Sequence, residues 1–368
     1  MFKPTLSRVF ALVAMLASGC GDAPVPADTN DAMKNLMSYG GRLNGTGIHI
    51  GSTQPESWVG LANTSTAWSM TGFSRHADGS IWATGWYTLG VAVISADALL
   101  TGAQLNGVST QVKDIRTTGS QLSIDVQDAA SGLRTLRNEA LVGLSLVLRV
   151  PDALGLTTSQ YKLRISSSEN IDSQFGDVSG YQVDVYTDGL LGGSWSSYCK
   201  GPGGASQRSV FYQGSQWSPV DATRTDGANL VTMTCESGSV AKCMRWGYRP
   251  WASANTQSGQ SATAADYHQA CIHMKRASYC GDSQAHTVDG TSIFVSDQQS
   301  PPINSGSLAS IEALWTVQGA TCVTNRRHPE ILFLGCPLPL PTCPANPSSG
   351  YLLATGLTGS SSLLGLLD

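Results

Sequence analysis

The stretch LSLVLRV, residues 144–150, decides how the chain folds. Leu144, Leu146, Leu148 and Val150 put an apolar side chain at every second position, with Ser145 and Arg149 among the residues between. In an extended strand such residues share one face, and one buried face opposite a solvated one marks antiparallel sheet. The alternation continues outward. Leu122, Ile124 and Val126 carry it on one side, and Tyr161, Leu163, Ile165, then Tyr181, Val183, Val185 on the other. Asn44-Gly45, Asp78-Gly79, Asn106-Gly107 and Asp188-Gly189 supply turn chemistry between runs. The chain is therefore expected to be mainly β, with an antiparallel sandwich or barrel-like domain over residues 46–190.

Cysteine usage changes the character of the chain after that point. Of nine cysteines, eight lie beyond residue 198: Cys199, Cys235, Cys243, Cys271, Cys280, Cys322, Cys336 and Cys343. An even set in an oxidising compartment reads as a disulfide framework. Residues 191–345 are thus expected to form a disulfide-stapled α+β domain with one or two short helices. Ser239 is an expected N-cap for a short helix, and 264 to about 277 forms a longer one free of Gly and Pro. Strands are expected at 228–235, 291–296, 311–317 and 331–336. The tail, 346–368, is apolar but broken by Gly and Ser, and reads as a late strand or a disordered end.

Helix geometry limits the pairing. On a continuous helix Cys271 and Cys280 would sit on opposite faces, about 13 Å apart along the axis. A disulfide needs Cα atoms within about 7 Å, so each should tie the helix to a different element. The segment holding Cys235 and Cys243 is one such partner. Cys322 and Cys336 flank the turn-like NRRHP segment and are expected to bridge neighbouring strands. Full connectivity stays open, because eight cysteines allow on the order of a hundred pairings.

The N-terminal residues address location. Lys3 and Arg8 precede an unbroken apolar run, Val9–Ala17, which is long enough for a signal-peptide core but too short to span a bilayer. Leu16-Ala17-Ser18-Gly19-Cys20 resembles a bacterial lipobox, although Leu stands one position earlier than usual. Residues 1–19 are therefore expected to be a lipoprotein signal, with Cys20 acylated and 20–45 a flexible tether. Gly21 in place of an acidic residue favours the outer membrane of a bacterial cell envelope. The membrane is then a partner through the lipid. Charged residues make up only 13% of the chain, and removing Lys3 and Arg8 takes the formal charge from −4 to −6. With no basic cluster, nucleic acid is not an expected partner.

Five short motifs follow one another in the cysteine-rich part: AKC (241–243), GYRPW (247–251), HQAC (268–271), ASYCGD (277–282) and HTVDGT (286–291). Together they resemble the ADYC domain, over about residues 190–340. That family consists of bacterial exported proteins and lipoproteins with no assigned activity, so the resemblance implies an envelope location and no reaction. Ser278 stands where the family's name motif has Asp.

Function classes narrow by chemistry. His268, Cys271, His273, Cys280 and His286 are metal-ligand types, but zinc-finger spacing is absent, and His273 lies far round the helix from His268 and Cys271. No metal site and no cofactor are expected. No GxSxG, HExxH, P-loop or dinucleotide fingerprint is present. His273, Asp282, His286 and Asp289 are the candidate general acids and bases for a hydrolase acting on envelope or external polymer. The leading expectation is a non-catalytic binding or surface-interaction module for a glycan or protein ligand. Its aromatic supply is Trp58, Trp68, Trp82, Trp86 and Tyr87 in the first part, and Trp195, Trp217, Trp246 and Trp251 in the second.

Overall fold

The computed structural model describes residues 41–44, 68–89, 92–172, 177–187, 193–200, 205–217, 223–254, 256, 261–281, 285–287, 291–306, 308, 310–329, 336 and 339–357. Its strands form two sheets, antiparallel throughout. The larger has thirteen: β2 (Ser69–Arg75), β3 (Ile81–Leu89), β4 (Ala92–Ser95), β5 (Ala98–Leu105), β6 (Val108–Thr118), β7 (Gln121–Asp128), β8 (Gly132–Arg137), β9 (Leu144–Pro151), β10 (Thr158–Asn170), β11 (Ser179–Thr187), β12 (Ser194–Ser197), β13 (Ser209–Trp217) and β14 (Arg224–Cys235). A pairing of β3 with β5, at Trp82↔Leu99 and Ala83↔Ala98, closes β2, β3, β5, β9, β10, β11, β13 and β14 into a ring. Closure removes sheet edges that would otherwise invite association.

The period-two faces point as the sequence predicts. Leu144, Leu146, Leu148 and Val150 are buried on β9, while Arg149 is exposed. Leu163 and Ile165 on β10 and Tyr181 and Val183 on β11 continue the same interior. Asn106 and Gly107 both take positive φ, 52° and 84°, the geometry of a two-residue hairpin that matches strand twist. The ring's weak seam lies between β11 and β13, which pair only at Tyr181↔Ser209. The β6–β7 hairpin bridges it. Thr117 N donates to Gln213 Oε1 at 3.0 Å, and Leu122 N donates to the Tyr181 hydroxyl at 2.8 Å.

The smaller sheet runs β1 (Gly41–Asn44), β15 (Thr291–Asp297), β18 (Leu353–Leu357), β16 (Ile311–Thr316) and β17 (Gly319–Val323), in that order. β1 falls within the segment expected as tether, whereas β18 belongs to the apolar tail, for which a late strand is one of the two expectations, and lies between β15 and β16 with Leu353 and Ala354 fully buried. Helices α1 (Ser239–Arg245) and α2 (Ala264–Arg276) complete the fold. Ser239 is the first residue of α1 rather than its cap, which is Gly238.

The boundary expected near residue 190 falls inside the large sheet. β14 pairs with β2, Met70 N donates to the Tyr198 hydroxyl at 2.7 Å, and one apolar core extends from Trp68 to Leu353. Period-two patterning shows which face of a strand is buried but not which strand it pairs with. The composition change at 190 therefore marks where the disulfides begin.

Four disulfides occur: Cys199–Cys235, Cys243–Cys271, Cys280–Cys336 and Cys322–Cys343. Cys271 and Cys280 take separate partners, as helix geometry requires. The expected Cys322–Cys336 bridge does not form, because Cys322 on β17 faces the chain returning toward β18. Cys336 instead reaches the exit of α2. The closed loops span 21 to 56 residues, so each bridge is worth about 3–4 kcal/mol in the chain-entropy account. The strand 331–336 lies outside the described residues save for Cys336, as do Cys20 and the expected signal segment.

Because β18 holds the middle of the small sheet, a chain ending at Gly350 should lose that sheet. We expect near-UV circular dichroism of the truncated chain to collapse and limited proteolysis to cut after residue 290, while the ring strands stay protected.

Candidate functional site

The sequence motifs converge on α2. Thr263 caps it with a reciprocal box: Asp266 N donates to Thr263 Oγ1, and Thr263 N donates to Asp266 Oδ2 at 2.9 Å. Ala277 ends it in the left-handed conformation, φ 51°, with its N–H turned back to the last carbonyls. From Tyr267 to Arg276 every side chain is buried, Lys275 and Arg276 included. Such a helix has no solvent face and must be matched on all sides.

Each motif supplies one of those matches. Cys271 of HQAC bonds Cys243 of AKC, and His268 Nε2 lies 3.0 Å from the Val240 carbonyl. In GYRPW, Tyr248 donates to the buried carboxylate of Asp297, Arg249 pairs with Asp172 and Asp177, and Trp251 packs on Tyr212. Past the helix, Gly281 (φ +72°) and Gly319 (φ +108°) let two turns lie flat together: a Cβ on Gly281 would strike the Gln318 carbonyl oxygen. His286 stacks on Tyr279 at 5.8 Å, and its N–H donates to the Arg276 carbonyl. Ser278, at the position of the family's Asp, is fully buried, and its N–H donates to the His273 carbonyl.

Tyr279 leads to a buried charged cluster. Its hydroxyl donates to Glu312 Oε1 at 2.8 Å, and Arg327 donates to both Glu312 oxygens at 2.6 and 2.8 Å. Neither charged side chain touches solvent. Arg327 also donates to the Met274 carbonyl at 3.0 Å, fastening the last turn of α2. Burial, then the Glu312 charge, pushes the Tyr279 hydroxyl far up, so it stays protonated and a donor.

Beside α2 a cleft of about 470 Å³ opens between the start of β14, the helix and the β16–β17 turn. Arg224 is its cation. Nη1 donates to the Ala265 carbonyl at 2.6 Å, Nε lies 3.0 Å from Asp226, and Nη2 lies 3.4 Å from Asp266. The Asp226 side chain is 60% exposed. Deeper in, the Trp217 indole donates to Gln269 Oε1 at 2.6 Å, and Gln269 Nε2 lies 2.9 Å from His273 Nε2. An indole N–H only donates, so Gln269 turns its amide N–H toward His273. The same ring nitrogen lies 3.1 Å from the Val317 carbonyl, and it can accept from Gln269 or donate to Val317, not both. Burial, aided by Arg276, lowers His273 to about 4 and keeps it neutral at ordinary pH.

Of the four candidate acid–base residues, His273 lines this cleft, while His286 is buried against Tyr279 and is not among the cleft's lining residues. Asp282 and Asp289 lie outside the described residues. All eight described cysteines are in disulfides, so none is a thiolate ligand. Among the tryptophans, Trp68, Trp86, Trp217 and Trp246 are core. Trp82, Trp195 and Trp251 are half-buried, with His76 stacked on Trp82 and the Arg164 guanidinium over Trp195, while Trp58 lies outside the described residues. Arg224, Asp226, Glu312 and Arg327 escaped sequence reasoning, because the cleft and the ion pair they build need Ala265, Asp266 and Met274 from α2, which lie far off in the chain.

The model of the ADYC domain family matches residues 138–329, just over half the chain. The match starts some fifty residues before the motifs suggest and takes in β9–β14, in keeping with a sheet that runs through residue 190. No curated protein and no solved structure matches.

Glu312→Gln would leave the Arg327 charge buried without its counter-ion, and should cost about 3–5 kcal/mol in urea unfolding. A separate expectation concerns pH. His268 and His273, both near 4 when folded, lie below their ordinary 6.5, so between those values the unfolded chain binds protons that the folded chain refuses. Stability should fall as pH drops through that window, by up to about 3 kcal/mol per histidine. His273→Gln should show a shallower fall than wild type when denaturation midpoints at pH 7 and 4.5 are compared.

Proposed function

The chain belongs to the ADYC domain family, and from that premise we propose that it is a lipid-anchored protein of the bacterial cell envelope that binds a glycan without cleaving it. The Arg224 cleft carries the reading. Its polar groups are planar and already held: a guanidinium fixed by a helix carbonyl and two carboxylates, and an amide fixed by an indole. Donors and acceptors side by side in fixed planes suit the paired hydroxyls of a sugar ring. The acceptor at the mouth, Asp226, is braced by Ser215 Oγ at 2.6 Å. Prior fixing lowers the ordering cost of binding.

Two features favour binding over hydrolysis. His273, the candidate base in the cleft, has its Nε2 engaged within the protein and is only 2% exposed. The other motif residues serve the packing of α2. The lipid anchor is supported by the apolar run Val9–Ala17 ending at Cys20, and outer-membrane placement by Gly21.

The test is an oligosaccharide array probed with the mature chain, followed by calorimetric titration of any hit. Arg224→Ala and Asp226→Asn should each weaken binding at least tenfold, and Trp82→Ala should leave it unchanged. Absence of any glycan above background, or undiminished binding by Arg224→Ala, would overturn the proposal. Turnover of the bound sugar that His273→Gln abolishes would replace it with a hydrolase.

A further inference from the structure

The β9–β10 connection, PDALGLT over residues 151–157, presents two leucines on a loop folded about one carboxylate. Leu154 and Leu156 are 75% and 78% exposed, the two most exposed large apolar side chains among the described residues. They are not loosely displayed. The carboxylate of Asp152 accepts from Leu154 N at 3.0 Å, Leu156 N at 2.9 Å, Thr157 N at 2.8 Å and Thr157 Oγ1 at 2.5 Å. Gly155 N, at φ +70°, donates to the Asp152 carbonyl, and Asp152 N closes the loop on the Thr157 carbonyl. Four consecutive backbone N–H groups, 154 to 157, therefore find their acceptors inside the loop, all on one residue.

Water would satisfy those N–H groups at no cost to the fold. Internal satisfaction is what a backbone needs when it leaves water for a medium without hydrogen-bond partners. The tip is convex and presents two leucines, too small a patch for a stable protein interface, which needs about 800 Å² from each partner. A bilayer asks only for a protrusion. Behind the tip, on the outward face of β9 and β10, Arg149 and Lys162 are exposed, the Lys162 ammonium resting over the Tyr186 ring. Long cationic side chains reach lipid phosphates while their stems lie on apolar surface.

We propose that the 152–157 loop is a membrane-contact element, in which Leu154 and Leu156 enter the acyl boundary of a phospholipid surface and Arg149 and Lys162 engage its phosphates. Asp152 holds the loop in the inserted geometry. The contact is separate from the acyl chain on Cys20. A lipid at the end of a tether confines the protein to a surface without orienting it, whereas a rigid loop fixes which end of the ring faces the bilayer.

The experiment uses the full chain carrying Cys20→Ser, so that no acyl group contributes. With vesicles of phosphatidylethanolamine and phosphatidylglycerol, this protein should co-sediment, and Leu154→Ser with Leu156→Ser should reduce the bound fraction at least tenfold with an unchanged melting curve. Arg149→Glu with Lys162→Glu should also weaken binding, and added salt should matter less for that variant than for its parent. No sedimentation of the Cys20→Ser chain, or sedimentation indifferent to the leucines, would overturn the inference. So would a change from dimer to monomer on removing the leucines, which would assign the patch to a second copy of the chain. Intact mass of the wild-type N-terminal peptide tests the anchor independently: an unacylated Cys20 would remove the anchor and leave the loop's behaviour to the vesicles.

Discussion

Arg327 and Glu312 form an ion pair with both side chains out of water, and the cysteine-rich half of the molecule is arranged to make that tolerable. An isolated buried charge costs several kcal/mol, and Coulomb attraction offsets this only when geometry is good and the remaining donors and acceptors are filled. Here the guanidinium takes both carboxylate oxygens and the last turn of α2 through Nε and Nη2, leaving only Nη1 unmatched among its nitrogens, and the Tyr279 hydroxyl adds a further donor to Glu312. Four separate stretches of chain must be in register at once: the helix end, its exit turn, β16 and the segment after β17. Trp315 stacked on one side of Tyr279 and His286 near it exclude the water that would weaken the pair.

The same constraint explains the disulfides. Cys280, one residue past Tyr279, is tied to Cys336, and Cys322–Cys343 closes the neighbouring strand, so two of the four bridges bracket the ion pair. A small five-stranded sheet with one helix buries limited apolar area on its own. Bridges that shrink the unfolded ensemble offset part of the ordering entropy that such a core leaves uncompensated. The large ring carries no bridge until Cys199, and its alternating strands bury enough to stand on hydrophobic contacts.

That difference also sets what was legible from sequence. LSLVLRV and its relatives disclose strand type and buried face, because both follow from a period-two code local to each strand. Helix α2 was legible through the absence of Gly and Pro, and its spacing separated the partners of Cys271 and Cys280. Pairing partners were not legible. β1 occupies the edge of the small sheet although it reads as tether, and the tail, legible as a late strand or a disordered end, gives no sign that β18 would pair with both β15 and β16. The cleft was hidden for a related reason: Arg224 and Gln269 are 45 positions apart and line one cleft only because the start of β14 reaches the first turn of α2. Nothing within a short window marks either residue.

Residue types that look chemical, two histidines and two cysteines within fifteen positions, are here the means of burying a helix. His268 and His273 are both pushed to about 4 by burial, which is what a histidine does when it contributes packing and one hydrogen bond instead of proton transfer at neutral pH. Once Cys271 and Cys280 are oxidised and Tyr279 is held by Glu312, the segment 268–281 has little reactivity to offer. The groups proposed above to meet a partner lie elsewhere: the carboxylate of Asp226 at the mouth of the cleft, the leucines of the 152–157 loop, and the cations behind them. On the reading proposed above, recognition falls to these outward residues, and their positions are fixed by an interior that does not take part.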